Sequence, residues 1–257
     1  MEILDRMRWS LLFVLFVAFT ACDKDEPKPD PQPEPGASFG SIDMRFENEI
    51  GGAPIQMGQI AHQNPAGNPF SVTMLKYYVT NVELVRDNGD VFKANNYDLI
   101  NEEDNDSKRI ALENIPNGTY TSLRFKLGVD SARNHTGVQD GDLDPINGMI
   151  WTWNTGYIFF KHEGNFKDTN GDTQLLLYHL GTDAALAQIE LPLNGLEVNG
   201  NGKTMRLKLD LNSLYSSPNM VDFNGNNNHM STGVGDVNWI KSLRENFPSA
   251  FTVHSIE

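Results

Sequence analysis

Cysteine is almost missing from this chain: Cys22 is the single thiol among 257 residues. That excludes an internal disulfide, a zinc-cysteine cluster and a CxxCH haem attachment, so a packed core must hold the fold. Positive charge is short as well, with 20 Lys and Arg against 34 Asp and Glu and a formal net charge of −14. So acidic a surface argues against nucleic acid and suits cations or basic partners. An HExxH pair, a phosphate-binding glycine loop and a dinucleotide fingerprint are also absent. The string GASFG at 36–40 fits a nucleophile elbow in letters only, because a proline-rich stalk precedes it where that motif needs a buried strand. A hydrolytic enzyme is disfavoured, and a non-catalytic role is expected.

The N-terminus reads as an address. Arg6 and Arg8 precede the apolar residues 11–19, too few for the ~20 that span a bilayer, and Thr20 and Ala21 lead into Cys22. Residues 1–21 therefore form a secretory signal, and its placement before the lone cysteine resembles a bacterial lipoprotein signal. Cys22 is then the lipidated first residue of the mature protein, with the lipid anchor as its only membrane attachment. The alternative is a cleaved soluble protein with an odd cysteine. Residues 22–36, CDKDEPKPDPQPEPG, are the lipidated cysteine and a Pro-rich acidic linker that should form a semi-extended stalk. Lys24, Asp25 and Glu26 resemble a tag that sends some bacterial lipoproteins to the outer face of the outer membrane; a plain acidic linker is the other reading. The expected location is the bacterial cell envelope, as an outer-membrane lipoprotein, periplasmic or surface-exposed.

Residues 37–257 are enough for one large β domain. Short alternating runs separated by Gly, Asn, Asp and Pro recur through them. Ile42, Met44 and Phe46 alternate, as do Leu123, Phe125, Leu127 and Val129. The same holds for Leu175 and Leu177 leading into His179, for Ala187 to Leu193, for Met205 to Leu211, and for Phe251, Val253 and Ser255. Residues 72–85 form a long run, turned at 87–90 into a hairpin return at Val91 and Phe92. Residues 237–246 place Trp239, Ile240 and Leu243 on one side of a short helix. The expected fold is all-β: an antiparallel β-sandwich with long loops and one short C-terminal helix. The heaviest strand is expected at 149–161, with Trp151, Trp153, Tyr157 and Phe159 on one face and Ile150, Ile158 and Phe160 on the other. Apolar on both faces, it should be central.

Two acidic loops, Asp140/Asp142/Asp144 and Asp168/Asn170/Asp172, have the 1, 3, 5 spacing of a calcium loop. Both lack Gly at position six and Glu at position twelve, so calcium is the weaker metal candidate. Among six histidines, three have suggestive settings: His135 in a polar loop, His179 at the end of an apolar strand, and His62 before the long run. Histidines gathered from separate strands, without cysteine and among aromatics, would suit copper, and Met149 could add a thioether.

Five segments then stand in order: LKYYVTNVELV (75–85), NGTYTSLRFKLGVDS (117–131), Asn134-His135, GDLDPINGMIWTWNTGYIFFKHEG (141–164) and YHLG (178–181). This ordered set resembles the MbnP-like copper-binding protein family, exported and mostly β proteins first associated with methanobactin copper systems. The resemblance implies one copper ion held by two histidines beside a tryptophan oxidised to kynurenine, and a di-haem cytochrome-c-peroxidase-like partner. His135 matches the family's Asn-His loop, His179 its His-Leu-Gly strand end, and Trp151 and Trp153 its WxW strand. His135 and His179 are thus the leading ligand candidates, His62 a third outside any family motif, and Trp151 or Trp153 the candidate for oxidation. The cysteine that many relatives carry shortly after His-Leu-Gly is missing, a departure that marks a divergent branch.

The function implied is copper storage, scavenging or delivery by an exported lipoprotein. Two other readings compete with it. One is a β-sandwich interaction or glycan-binding lipoprotein, which needs Trp151 or Trp153 open to solvent. The other is a metal-free substrate of a di-haem peroxidase.

Overall fold

The alternating runs become the strands of two facing sheets. The computed structural model describes residues 38–151, 156–230 and 236–257; the signal segment, Cys22, the linker and Trp153 lie outside these described residues. In chain order come β1 (Phe39–Ile50), β2 (Ala53–Pro54), β3 (His62–Gln63), β4 (Pro69–Phe70) and β5 (Met74–Arg86). Next are β6 (Val91–Lys93), β7 (Tyr97–Asn101), β8 (Arg109–Pro116), β9 (Gly118–Leu127) and β10 (Ile158–Lys167). The last are β11 (Thr173–Gly181), β12 (Ala187–Val198), β13 (Gly202–Asp210), β14 (Asn228–Met230) and β15 (Phe251–Ile256). Helices α1 (Ser131–Asn134), α2 (Leu211–Leu214) and α3 (Val237–Ala250) lie between them.

The smaller sheet runs β15-β13-β1-β2, with β8 also on β1. The larger runs β12-β9-β5-β10-β11-β14, extended by β3, β4, β6 and β7. The expected β-sandwich is therefore present. Pairing is antiparallel except for β1 with β13 and β11 with β14. Ile42, Met44 and Phe46 of β1 and Leu123, Phe125 and Leu127 of β9 are buried, as a period of two requires. The sheets meet through edge-on aromatic contacts, with Phe46 against Phe125 at 6.3 Å and Tyr77 against Phe251 at 6.0 Å. Tyr120 pins the turn between β8 and β9 by donating its hydroxyl to the Pro116 carbonyl at 2.7 Å. Helix α3 runs past the expected residue 246 to Ala250 and buries Ile240, Leu243 and Phe247, the last against Phe160 at 5.2 Å.

Two expectations need correction. Residues 149–161 do not form one strand. The chain folds back on itself, with Ile158 N–H donating to the Met149 carbonyl at 2.7 Å and Ile150 bridging Tyr157. Gly156 makes this reversal feasible: its φ is 97°, and a Cβ there would lie 2.7 Å from Asn134 Oδ1. Strand β10 starts only at Ile158, and it is central as expected, between β5 and β11. The phase of β11 also differs. Its core side carries Leu176, Tyr178 and Leu180, while Leu175 is 61% exposed. The pairing sets that phase, because Tyr178 sits opposite the buried His162 of β10, so a shift of one would send the polar face inward.

Candidate metal site

Period-two alternation on β11 turns His179 to the sheet face opposite Tyr178 and Leu180. There it is the register partner of Lys161 on β10 and of Met230 on the parallel β14. His179 Nε2 meets Glu163 Oε1 at 2.8 Å, and Lys161 Nζ reaches the same carboxylate oxygen at 3.3 Å. The imidazole is only 12% exposed, and its ring lies 6.2 Å from that of Trp151. Trp151 is itself buried. Gly181 gives it room, since a Cβ at that position would lie 3.0 Å from Trp151 Nε1 and 2.4 Å from the Tyr157 carbonyl.

Charge at this spot is balanced locally. Burial pushes the His179 pKa down, and although Glu163 opposes that, the net shift is downward with Lys161 assisting. The ring is therefore neutral at pH 7, with a lone pair to offer. Burial alone would raise the Glu163 carboxyl, but the hydrogen bond from His179 and the Lys161 charge hold it below the usual range. Lys161 and Lys76 also donate to the Gly148 and Asn147 carbonyls, at 3.5 and 3.1 Å. The acidic turn is thereby pinned onto the sheet.

His135 caps the C-terminus of α1 on the neighbouring loop and is half exposed. Its Nε2 lies 3.3 Å from Asp183 Oδ1. Asp183 is a hub: Ser131 Oγ donates to it at 2.8 Å and Asn134 Nδ2 at 3.3 Å. Burial works to raise its pKa, and these donors together with His135 hold it low. Asn134 is buried, and its Oδ1 accepts the Tyr157 N–H at 2.8 Å, fastening α1 to the folded-back segment. His135 thus faces a cavity lined by Val138, Ile150 and Gly156, while His179 packs on the adjacent Trp151.

His135 and His179 each own a carboxylate, and Asp183 follows His179 by four residues, so those two Cα atoms are no more than about 14 Å apart. Among the described residues, no three His, Cys, Asp or Glu side chains converge as a metal-binding group. His62 stands elsewhere. Its partner Phe70 pairs with Phe166, five residues along β10 from Lys161, which places it about 17 Å down the sheet from His179. Its Nε2 accepts the Gln56 N–H at 3.0 Å, and burial lowers its pKa. Met149 is buried in the core, and the methionine in register with His179 is Met230 of β14. Glu163, Asp183 and Met230 escaped sequence reasoning; KHEG and HLGTD held the two acids in plain sight, but only register joins them to the histidines. In each acidic loop a carboxylate is taken up by the local fold. Asp142 Oδ2 accepts the Leu99 N–H at 2.7 Å, and Asp168 Oδ1 accepts the Asn170 and Asp172 N–H groups at 2.9 Å.

No curated protein sequence matched the chain. Among solved structures, MbnP from Methylosinus trichosporium superposes with a TM-score of 0.53 at 18% identity, covering 84% of this chain and 97% of that one. At that identity the likeness speaks for the fold. The sequence model of the MbnP family matches residues 39–231. That span takes in β1 to β14 with both imidazole–carboxylate pairs, and the chain belongs to the MbnP family.

Proposed function

We propose that this protein is an exported, non-catalytic lipoprotein that binds one copper ion through His179 and His135, for storage, scavenging or delivery. The observation that carries the proposal is the setting of His179. A largely buried, neutral imidazole engages Glu163 through Nε2, so Nδ1 would be the atom that takes a metal, and Met230 is its register partner on the neighbouring strand. Imidazole serves copper in either oxidation state, and a thioether favours Cu(I). Metal-ligating histidines commonly give their other ring N–H to a carboxylate, and His135 with Asp183 has the same form. Trp151, packed against His179, is the first candidate for oxidation, with Trp153 as the alternative. Its burial disfavours a sugar-stacking platform. Lipidation at Cys22 would hold the domain at the outer membrane, where a di-haem cytochrome-c-peroxidase-like protein is the proposed partner.

Copper titration of the protein tests the site. Stoichiometric binding that is lost in His135→Ala and in His179→Ala is the expected result, and unchanged binding in both removes the site. Intact-mass analysis of the native protein reads the tryptophan: an unmodified chain removes the kynurenine part of the proposal.

A further inference from the structure

A titratable side chain sealed in a β core takes its chemistry from the groups it touches. His162 lies fully buried on the inner face of β10, and its Nδ1 contacts the Tyr215 hydroxyl. The two rings stack at 5.9 Å with 23° between their planes, and Tyr215 is also fully buried. Tyr215 touches Tyr178 at 6.1 Å, and Tyr178 touches Trp239 of α3 at 4.8 Å. Trp239 is only partly buried and stacks on His229 at 3.8 Å, while His229 Nδ1 meets Asp236 at 3.0 Å. A file of oxidisable rings thus leads from a partly exposed indole to a buried phenol bonded to an imidazole, with no step longer than 6.1 Å.

The ends of this file differ in what they can do with a proton. A phenol that loses one electron becomes strongly acidic, and in a dry core it can give up its proton only to a base already in contact. The Tyr178 hydroxyl faces the Asn226 carbonyl, which is no base. The Tyr215 hydroxyl faces a neutral imidazole, because burial holds His162 at a pKa of about 4. An indole needs no such partner, since it can carry the charge as a radical cation, and Asp236 places a carboxylate behind the ring stacked on it.

We propose that Trp239, Tyr178, Tyr215 and His162 form a hole relay that carries oxidising equivalents from the surface to a buried tyrosine. A one-electron oxidant of high potential, such as a peroxide-derived radical or a ruthenium(III) complex, takes one electron from Trp239. The electron is replaced through Tyr178 from Tyr215, whose O–H proton passes to His162 Nδ1. The products are the reduced oxidant, a neutral tyrosyl radical and an imidazolium; one electron from a reductant and return of the proton restore the start. This relay is independent of copper.

Flash-quench oxidation of the full chain by photogenerated tris(bipyridine)ruthenium(III), followed by electron paramagnetic resonance and transient absorption, tests it. A tyrosyl radical is expected whose formation slows in D₂O. The signal should be lost in Tyr215→Phe and in Trp239→Phe, and His162→Phe should leave the oxidation on tryptophan. Tyr97 supplies the discriminating control, because it is partly exposed and donates its hydroxyl to Asp130. Tyr97→Phe should keep the signal. A radical that survives Tyr215→Phe, or that disappears in Tyr97→Phe, overturns the relay. Tyr215→Phe removes a single oxygen from the core, and Trp239→Phe reads the same relay from its surface end with that core untouched.

Discussion

Acid should weaken this fold through one residue more than any other. In an unfolded chain a histidine titrates near pH ~6.5, whereas burial holds the folded His162 at about 4. Between those values the unfolded chain takes up a proton that the native state refuses. The His162 contribution is therefore complete above the unfolded pKa and is lost as pH falls toward the folded one. A gap of roughly 2.5 units, at about 1.4 kcal/mol per unit and with the folded ring half protonated at pH 4, corresponds to about 3 kcal/mol. His179 and His62, also shifted down by burial, add in the same direction. Glu163 and Asp183, held low, keep their contribution until the pH drops through their own depressed pKa values. Comparing wild type with His162→Phe by urea unfolding at pH 7 and pH 4 isolates the imidazole from these others. At pH 7 the variant should be weaker by about 1–3 kcal/mol, because the buried Tyr215 hydroxyl loses its acceptor. Between pH 7 and pH 4 it should then lose about 3 kcal/mol less than wild type. Parallel losses in the two proteins would refute the reasoning.

Three substitutions probe the candidate metal site and its wall. Glu163→Gln keeps an oxygen near His179 but removes the charge, so copper affinity, read by competition with a chromophoric chelator, should fall roughly 10- to 100-fold; unchanged affinity would detach Glu163 from the site. Met230→Leu should weaken Cu(I) binding while leaving Cu(II) binding nearly intact, since only the soft ion gains from the thioether, and equal losses for both ions would contradict that role. Gly181→Ala forces a Cβ to 2.4 Å from the Tyr157 carbonyl and 3.0 Å from the Trp151 indole nitrogen. It should cost about 1–3 kcal/mol in denaturant unfolding, as overpacking does, and a neutral substitution would show that this wall yields.

How far the sequence could be read depended on whether a feature is local. Alternation on β1 and β9 announced itself because each residue's face follows from its immediate neighbours. The reversal at 149–158 did not, since the apolar letters of a turned chain look like those of a straight one. What gives it away is Gly156, whose left-handed backbone takes its purpose from Asn134, twenty-two residues earlier in the chain. On β11 the hydrophobic residues run unbroken from Leu175 to Leu177, so alternation there has no phase of its own, and the burial of His162 opposite Tyr178 supplies it. The candidate site follows the same rule. His179 was legible as the end of a strand, but Glu163 reaches it diagonally across an antiparallel pair, and Met230 stands in register with it on a parallel one. A motif can mark an imidazole; its donors and its carboxylate are properties of register. A one-residue slip between β10 and β11 would leave every family motif intact while carrying Glu163 away from His179, so the chemistry of this face depends on the core contacts of Tyr178, Tyr215 and Phe223 that lock the register from the other side.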